Sequence, residues 1–233
     1  MCDYLILTKP AKSNINCDEN NEIFCFSGNV YILPNFYNYY SNNGLFEKSL
    51  IEMVKEFCCL DKNILDIGAH SGTYSISLAH YSKHVYAFEP QKMTYYSLCG
   101  SVALSAIKNI TCINIGLGSS EQVGKQLLHI NSLDGGGSSL HYNANILEDE
   151  EIEVRTLDSF NIANISFIKI DVEDNELQVL KNSVNTLKMS NYPKILFEMN
   201  VVNSALLDFL VSLNYSVQQV SGYNNMYLAT STS

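Results

Sequence analysis

Two hydrophobic periods alternate along most of the chain. Short runs of consecutive apolar residues read as buried strands: "NILDIG" at 63–68, "HVYAFEP" at 84–90, "ITCINIG" at 110–116, "ISFIKIDVE" at 165–173 and "KILFEM" at 194–199. Between them, apolar positions three and four apart mark helices. These are Leu50, Ile51, Val54, Phe57 and Cys58; "TYSISLAHYS" from Thr73; and Tyr95, Leu98, Cys99 and Val102. Leu177, Leu180, Val184 and Leu187 form a fourth stripe, and Leu206, Phe209, Leu210 and Leu213 a fifth. Strands apolar on both faces, with helices between them, predict a mostly parallel sheet covered on both sides. Two last strand patterns, "YSVQQV" and "NMYLAT", are joined by "SGYN" and predict an antiparallel hairpin that closes the chain.

Two regions depart from this rhythm. Residues 1–45 are rich in Asn and Tyr, with a hairpin expected over "EIFCF–SGN–VYIL" at 23–33. They are read as an N-terminal extension, a cap on one sheet face or a lid over the site, attached to one domain over 46–233. The region 117–155 looks irregular, with a hairpin-like "QLLHI", a glycine-rich "LDGGGSSLHY" and the acidic run "EDEEIE" at 148–153.

The chemistry starts at "DIGAHSG", residues 66–72. A strand, a loop with two glycines and a helix suit a nucleotide-like cofactor. The stretch is not G-x-G-x-x-G, and it lacks the G-K-[ST] of a phosphate-binding P-loop. Glu89 ends the next strand, about 20 residues further on, where a carboxylate accepts hydrogen bonds from ribose hydroxyls. An adenosine-bearing cofactor follows, with Asp66, Gly68, Ala69, His70, Gly72, Glu89 and Pro90 around it. Asp171 and Glu173 stand at the end of a central strand and Glu198 at the end of the next, so three carboxylates are expected at the rim.

The segments "NILDIGAHSGTYSISLA", "VYAFEPQ", "GGGSSL", "VRTLDSF", "FIKIDVEDNELQVLKN" and "ILFEMN" occur in the order and spacing of FkbM-family methyltransferases, over roughly residues 45–200. The chain resembles that family. The resemblance implies a Rossmann-like class I methyltransferase: an α/β fold with a seven-stranded sheet, its C-terminal antiparallel hairpin and helices on both faces. It also implies S-adenosyl-L-methionine (SAM) as cofactor and a hydroxyl acceptor on a sugar or glycan-like molecule. One departure stands out. Family members usually carry Gly-Ala between the two glutamates of the I-D-V-E motif, and this chain has Asp174-Asn175.

Methyl transfer from SAM needs alignment of acceptor, methyl and sulfur. A sugar hydroxyl also needs a base to take its proton. Asp171, Glu173 and His70 are the candidate catalytic residues, with Asp171 also beside the cofactor. Glu173, Glu198 and His141 are expected to face the acceptor. A metal-free mechanism is favoured; the alternative is Mg²⁺ held by Asp171, Glu173 and Glu198. Tyr37, Tyr39 and Tyr40 could stack on a sugar face, and Asp158 is expected to fix the turn before the central strand.

Composition trims the alternatives. There are 24 Asp+Glu against 14 Lys+Arg, a formal net charge of −10, with no basic tract. That disfavours a nucleic-acid 2′-O-methyltransferase, which leans on Lys and Arg contacts to phosphate. A non-catalytic methyltransferase-fold scaffold subunit is the other rival, opposed by the intact Asp66, Gly68, Gly72, Glu89, Asp171 and Glu173. Seven cysteines, an odd number without C-x-x-C spacing, fit a reduced compartment. No signal peptide or transmembrane segment is evident, so a cytoplasmic protein with no membrane partner is expected. A homo-oligomer is compatible with all of this.

Overall fold

The computed structural model describes residues 4–7, 21–26, 29–34, 45–132, 135–142 and 145–232. Near the N-terminus, β1 (Tyr4–Leu7), β2 (Asn21–Phe26) and β3 (Asn29–Pro34) pair antiparallel in that order. The hairpin expected over 23–33 is present as β2 and β3, although residues 27–28 of its turn lie outside the described residues. So do Tyr37, Tyr39 and Tyr40. β3 packs on two helices of the main body, Thr73–Leu78 and Lys92–Leu104, and buried Tyr31 meets Ser77 there, hydroxyl to hydroxyl at 2.9 Å.

The main body begins with α1 (Lys48–Val54), which buries Leu50, Ile51 and Val54, the residues of the first helical stripe. There follow β4 (Asn63–Ile67), α2 (Thr73–Leu78), β5 (His84–Phe88), α3 (Lys92–Leu104) and β6 (Ile110–Ile113). After β7 (Gly116–Leu117), β8 (Gly124–Ile130) and β9 (Glu148–Arg155) come β10 (Ile165–Ile170), α4 (Glu176–Lys181) and α5 (Val184–Met189). β11 (Lys194–Glu198), α6 (Ser204–Ser212), β12 (Tyr215–Gln219) and β13 (Met226–Ser231) complete the chain.

The central sheet runs β12-β13-β11-β10-β4-β5-β6. Its strands are parallel except β13, which is antiparallel to both neighbours. This is the expected seven-stranded Rossmann-like sheet with its C-terminal hairpin. The apolar runs explain it: Ile64, Leu65 and Ile67 of β4 and Phe167, Ile168 and Ile170 of β10 are all buried. The chain order reverses between β4 and β10, so their carboxyl ends diverge around a crevice suited to a ligand.

Two elements differ from the sequence pattern. The stripe from Leu177 to Leu187 is not one helix but two, broken at Asn182–Ser183. Buried Ser183 turns its hydroxyl back onto the Leu180 carbonyl at 2.8 Å, which competes with the helical ladder. Asp158 then starts α5 by accepting from the backbone N–H groups of Asn185 (3.1 Å) and Thr186 (2.8 Å). Its role is structural as expected, but at a helix start.

The supposedly irregular 117–155 contains a second sheet, in order β7-β9-β8. The acidic run forms β9, because its charges stay at or near the surface while Ile152 and Val154 point inward against Leu128. Among the described residues no helix is long and apolar enough to cross a membrane.

Candidate active site

The glycine loop and the end of β10 are built into each other. Gly68 has φ +74°, and a Cβ there would stand 1.7 Å from the Asp171 carbonyl oxygen. No side chain fits, so the turn after β4 presses its backbone against the turn after β10. Gly72 (φ +90°) caps α2, and its missing Cβ leaves room for Leu98 of α3, which would otherwise be 2.5 Å away. Its contribution is packing; it does not line the cavity.

Asp66 also lies under the site and not in it. It is sealed from solvent, and its Oδ2 accepts from the Ser75 backbone N–H at 2.9 Å and the Ser75 hydroxyl at 2.5 Å. The residue therefore ties β4 to α2, because alternation along a strand turns its side chain toward the helix layer.

Glu89 sits at the crevice, 6% exposed, with both oxygens held by backbone N–H groups: His70 on Oε2 at 2.8 Å and Gln91 on Oε1 at 2.9 Å. Burial pushes its carboxyl up to about 7, against those two hydrogen bonds. Each oxygen keeps a further lone pair for a ligand hydroxyl. His70 has φ +50°, and its Nδ1 lies 3.1 Å from the Ser71 hydroxyl.

These residues open onto a cavity of about 470 Å³ that also takes in Gly68, Ala69, His70 and Pro90. One end is apolar, walled by Phe88, Pro90, Ile115, Leu117, Leu128 and Ile152. The other carries charge: Glu47, Lys169, Asp171, Glu173 and Glu198. The glycines of 135–137 form part of the wall. His141 does not, being exposed beyond them. A β-bridge between His129 and Ser139 turns the loop so that Ser138 and Leu140 face inward and His141 outward.

Asp171, Glu173 and Glu198 do converge. Each offers a carboxylate oxygen within 4.8 Å of the others. Glu173 has φ +51°; its carbonyl accepts from the Ser139 hydroxyl at 2.8 Å and its carboxylate from the Gly137 N–H. Burial first, then the charges of Asp171 and Asp174, push Glu173 up to about 7. Glu198 is raised as well, by burial and by its two acidic neighbours, while Asn225 and Asn200 donate to it at 2.6 and 2.9 Å. Hard oxygen donors in this arrangement are the ligand type Mg²⁺ takes.

Sequence reasoning missed Lys169 and Glu47, and marked Asn175 only as part of a departure from the family pattern. Lys169 is buried, donates to the Gly68 carbonyl at 2.8 Å, and lies 3.2 Å from Asp171 and 4.0 Å from Asp66. A lysine inside an apolar strand run, two residues before Asp171 and so on the same face, was the available signal. Glu47, just before α1, enters the charged end and accepts from the Tyr74 hydroxyl at 2.8 Å. Asn175 is buried, donating to the Leu117 carbonyl and accepting from Gln122 at 3.0 Å. The departure from Gly-Ala thus bolts the turn after β10 to the segment around the second sheet.

A sequence profile described as methyltransferase FkbM domain matches residues 66–217, from the buried aspartate to the last hairpin. The chain belongs to the FkbM methyltransferase family. A search of curated proteins finds no match. Among solved structures, the FkbM methyltransferase of Methylobacillus flagellatus KT superposes with a TM-score of 0.51 and 17% identity, over 73% of this chain and 44% of that one. The chain thus spans less than half the length of that relative. A SAM-dependent O-methyltransferase from Thermotoga maritima gives 0.51 and 13%, covering 87% and 73%. Precorrin-6y C5,15-methyltransferase from Geobacter metallireducens GS-15 gives 0.51 and 12%, covering 81% and 90%. At such identities the likeness is one of fold. Within the FkbM domain, the matched segment carries Gly68, Glu89, Asp171, Glu173 and Glu198, whereas Glu47 precedes it.

Proposed function

We propose that the protein transfers a methyl group from SAM to a hydroxyl of a sugar or glycan-like small molecule, with Glu173 as general base. The observation that carries this reading is the meeting of three carboxylates at the charged end of the cavity, with Glu173 raised to about 7. A base poised there is half ionised near neutral pH and matched to proton abstraction.

The cavity's apolar end suits adenine and Glu89 the ribose. SAM supplies an activated methyl, so no covalent nucleophile is required of the protein. The loop at Gly68 and the end of β10 orient the reacting groups, and Glu173 takes the hydroxyl proton as the oxygen attacks. Glu198, held by Asn200 and Asn225, fits a hydrogen bond to a neighbouring hydroxyl of the acceptor. Asp171 is paired with Lys169, so of the two carboxylates at the end of β10 Glu173 is the better base. The same convergence of carboxylates favours a second reading, in which Mg²⁺ binds Asp171, Glu173 and Glu198 and lowers the acceptor's pKa.

The test is incubation with methyl-labelled SAM and a panel of free and nucleotide-linked sugars, with RNA alongside, in EDTA or with Mg²⁺. Label in a sugar in EDTA supports the metal-free mechanism, and label only with Mg²⁺ supports the second reading. Label in RNA and in no sugar overturns the acceptor class. Failure of folded protein to bind SAM overturns the whole reading.

A further inference from the structure

The charged end of the cavity holds more than the acceptor site. If SAM lies with its ribose at Glu89 and its adenine at the apolar end, its methionyl head reaches the Gly68 side of the cavity. That head is a zwitterion, and its ammonium needs a carboxylate or carbonyl oxygen in a place poor in water.

Four oxygen acceptors near the loop are already committed. Asp66 bonds Ser75 through Oδ2, and burial seals its other oxygen from the cavity. The Gly68 carbonyl takes the Lys169 ammonium, and Asp171 pairs with the same ammonium. Glu89 holds the ribose end. Glu47 is left. It lies in the cavity wall, within Coulombic reach of Lys169 and Asp171, and among the described residues its carboxylate's hydrogen-bond partner is the Tyr74 hydroxyl, on Oε2. Its backbone sits at φ +54°, and its carbonyl accepts the Ile51 N–H that starts α1. Glu47 is therefore anchored to the helix while its side chain turns into the cavity. Lys169 on the same wall complements the carboxylate half of the zwitterion.

We infer that Glu47 receives the ammonium of the cofactor's methionyl head, making the segment before α1 a part of the cofactor site. This rests on SAM as the cofactor.

The experiment is calorimetric titration of wild type and Glu47→Gln with three ligands. These are S-adenosylhomocysteine, its analogue lacking the amino group, and 5′-methylthioadenosine, which lacks the whole head. Glutamine keeps an acceptor for Tyr74 and removes the charge. The expected result is a roughly 10- to 100-fold loss of S-adenosylhomocysteine affinity in the variant, the range for a charge-assisted hydrogen bond. The other two ligands should bind both proteins within about two-fold. Equal weakening of all three ligands, or of none, overturns the inference. Wild type needs no variant: deleting the amino group from the ligand must cost it a similar factor, and equal affinity with and without that group also overturns the assignment. Wild type that binds none of the three sinks the cofactor reading itself, which is a different result from binding methylthioadenosine while ignoring the head.

Discussion

Lys169 in β10 and Asp171 just past its end close an ion pair of 3.2 Å in the cavity wall, and the same ammonium holds the Gly68 carbonyl at 2.8 Å. One buried cation thus joins the glycine loop after β4 to the strand that presents two of the three converging carboxylates. It also faces Asp66, whose Oδ1 has no hydrogen-bond partner and lies 4.0 Å from Lys169.

Removing that charge strands the acids around it. Lys169→Met is expected to destabilise the protein by about 3–5 kcal/mol, the usual penalty for breaking one side of a buried pair. Adding Asp66→Asn to the same chain should recover part of the loss, because it removes the most deeply buried of the carboxylates left without their cation. Urea denaturation of the single and double variants checks this. A single-variant loss under about 1 kcal/mol would mean that the pair contributes nothing net.

Glu173→Gln separates base catalysis from cofactor binding. The turnover rate should fall by about 10²–10⁴, while SAM affinity stays within about two-fold. In wild type, the activity should rise with pH through about 7, since the base must lose its proton and burial holds that proton on. Steady-state rates from pH 5 to 9 decide it. A full rising limb in the glutamine variant would transfer the role to another group.

Glu176 gives a stability test away from the chemistry. It is buried at the start of α4, accepts from the Val172 N–H at 3.1 Å, and is pushed up to about 7, mainly by burial. Because its folded pKa lies above the unfolded value, the native state holds an extra proton between roughly pH 4.5 and 7. Its contribution to stability is therefore present at low pH and falls as pH rises through that window. Glu176→Gln keeps the acceptor oxygen and removes the charge. It should match wild type near pH 5 and exceed it by about 1–3 kcal/mol at pH 8. Denaturation at both pH values reads the difference, and equal stability at pH 8 would show that Glu176 is not charged at a cost there.

The sheet and most of its helices were legible because each buried strand is an apolar run bounded by a turn, and strands on such a sheet alternate with helices. The meeting of Gly68, Glu89, Asp171, Glu173 and Glu198 at one cavity was legible because the ends of parallel strands project to one crevice. Asp66, Gly72 and His141 were placed in the site by their nearness to it in sequence. What separates them is direction: Asp66 turns to the helix layer, Gly72 makes room for Leu98, and a β-bridge turns His141 outward. Lys169 and Glu47 were missed for the complementary reason. The value of Glu47 lies in a tertiary partner, Tyr74, that no local pattern reports, and for Lys169 a cation inside an apolar run was the single local sign of its partners Gly68 and Asp171. The acidic strand β9 was hidden because charge masked the alternation of Ile152 and Val154.

Asp174 tests how far the departure from the family's Gly-Ala matters. It sits at φ +73°, in the left-handed region that costs an ordinary residue about 1–2 kcal/mol, and its exposed carboxylate helps to push Glu173 upward. Asp174→Gly relieves the backbone but adds chain entropy to the unfolded state, at about 0.5–1 kcal/mol. The net expectation is a gain of up to about 1 kcal/mol in stability. The second effect is electrical: with one neighbouring charge gone, the Glu173 pKa falls, and the rising limb of the pH–activity profile moves to lower pH. Both are read on one preparation, by denaturation and by rate measurements across pH. A more stable variant with an unmoved profile would mean that the group titrating in catalysis does not face Asp174, and Glu198 would then be the base to test.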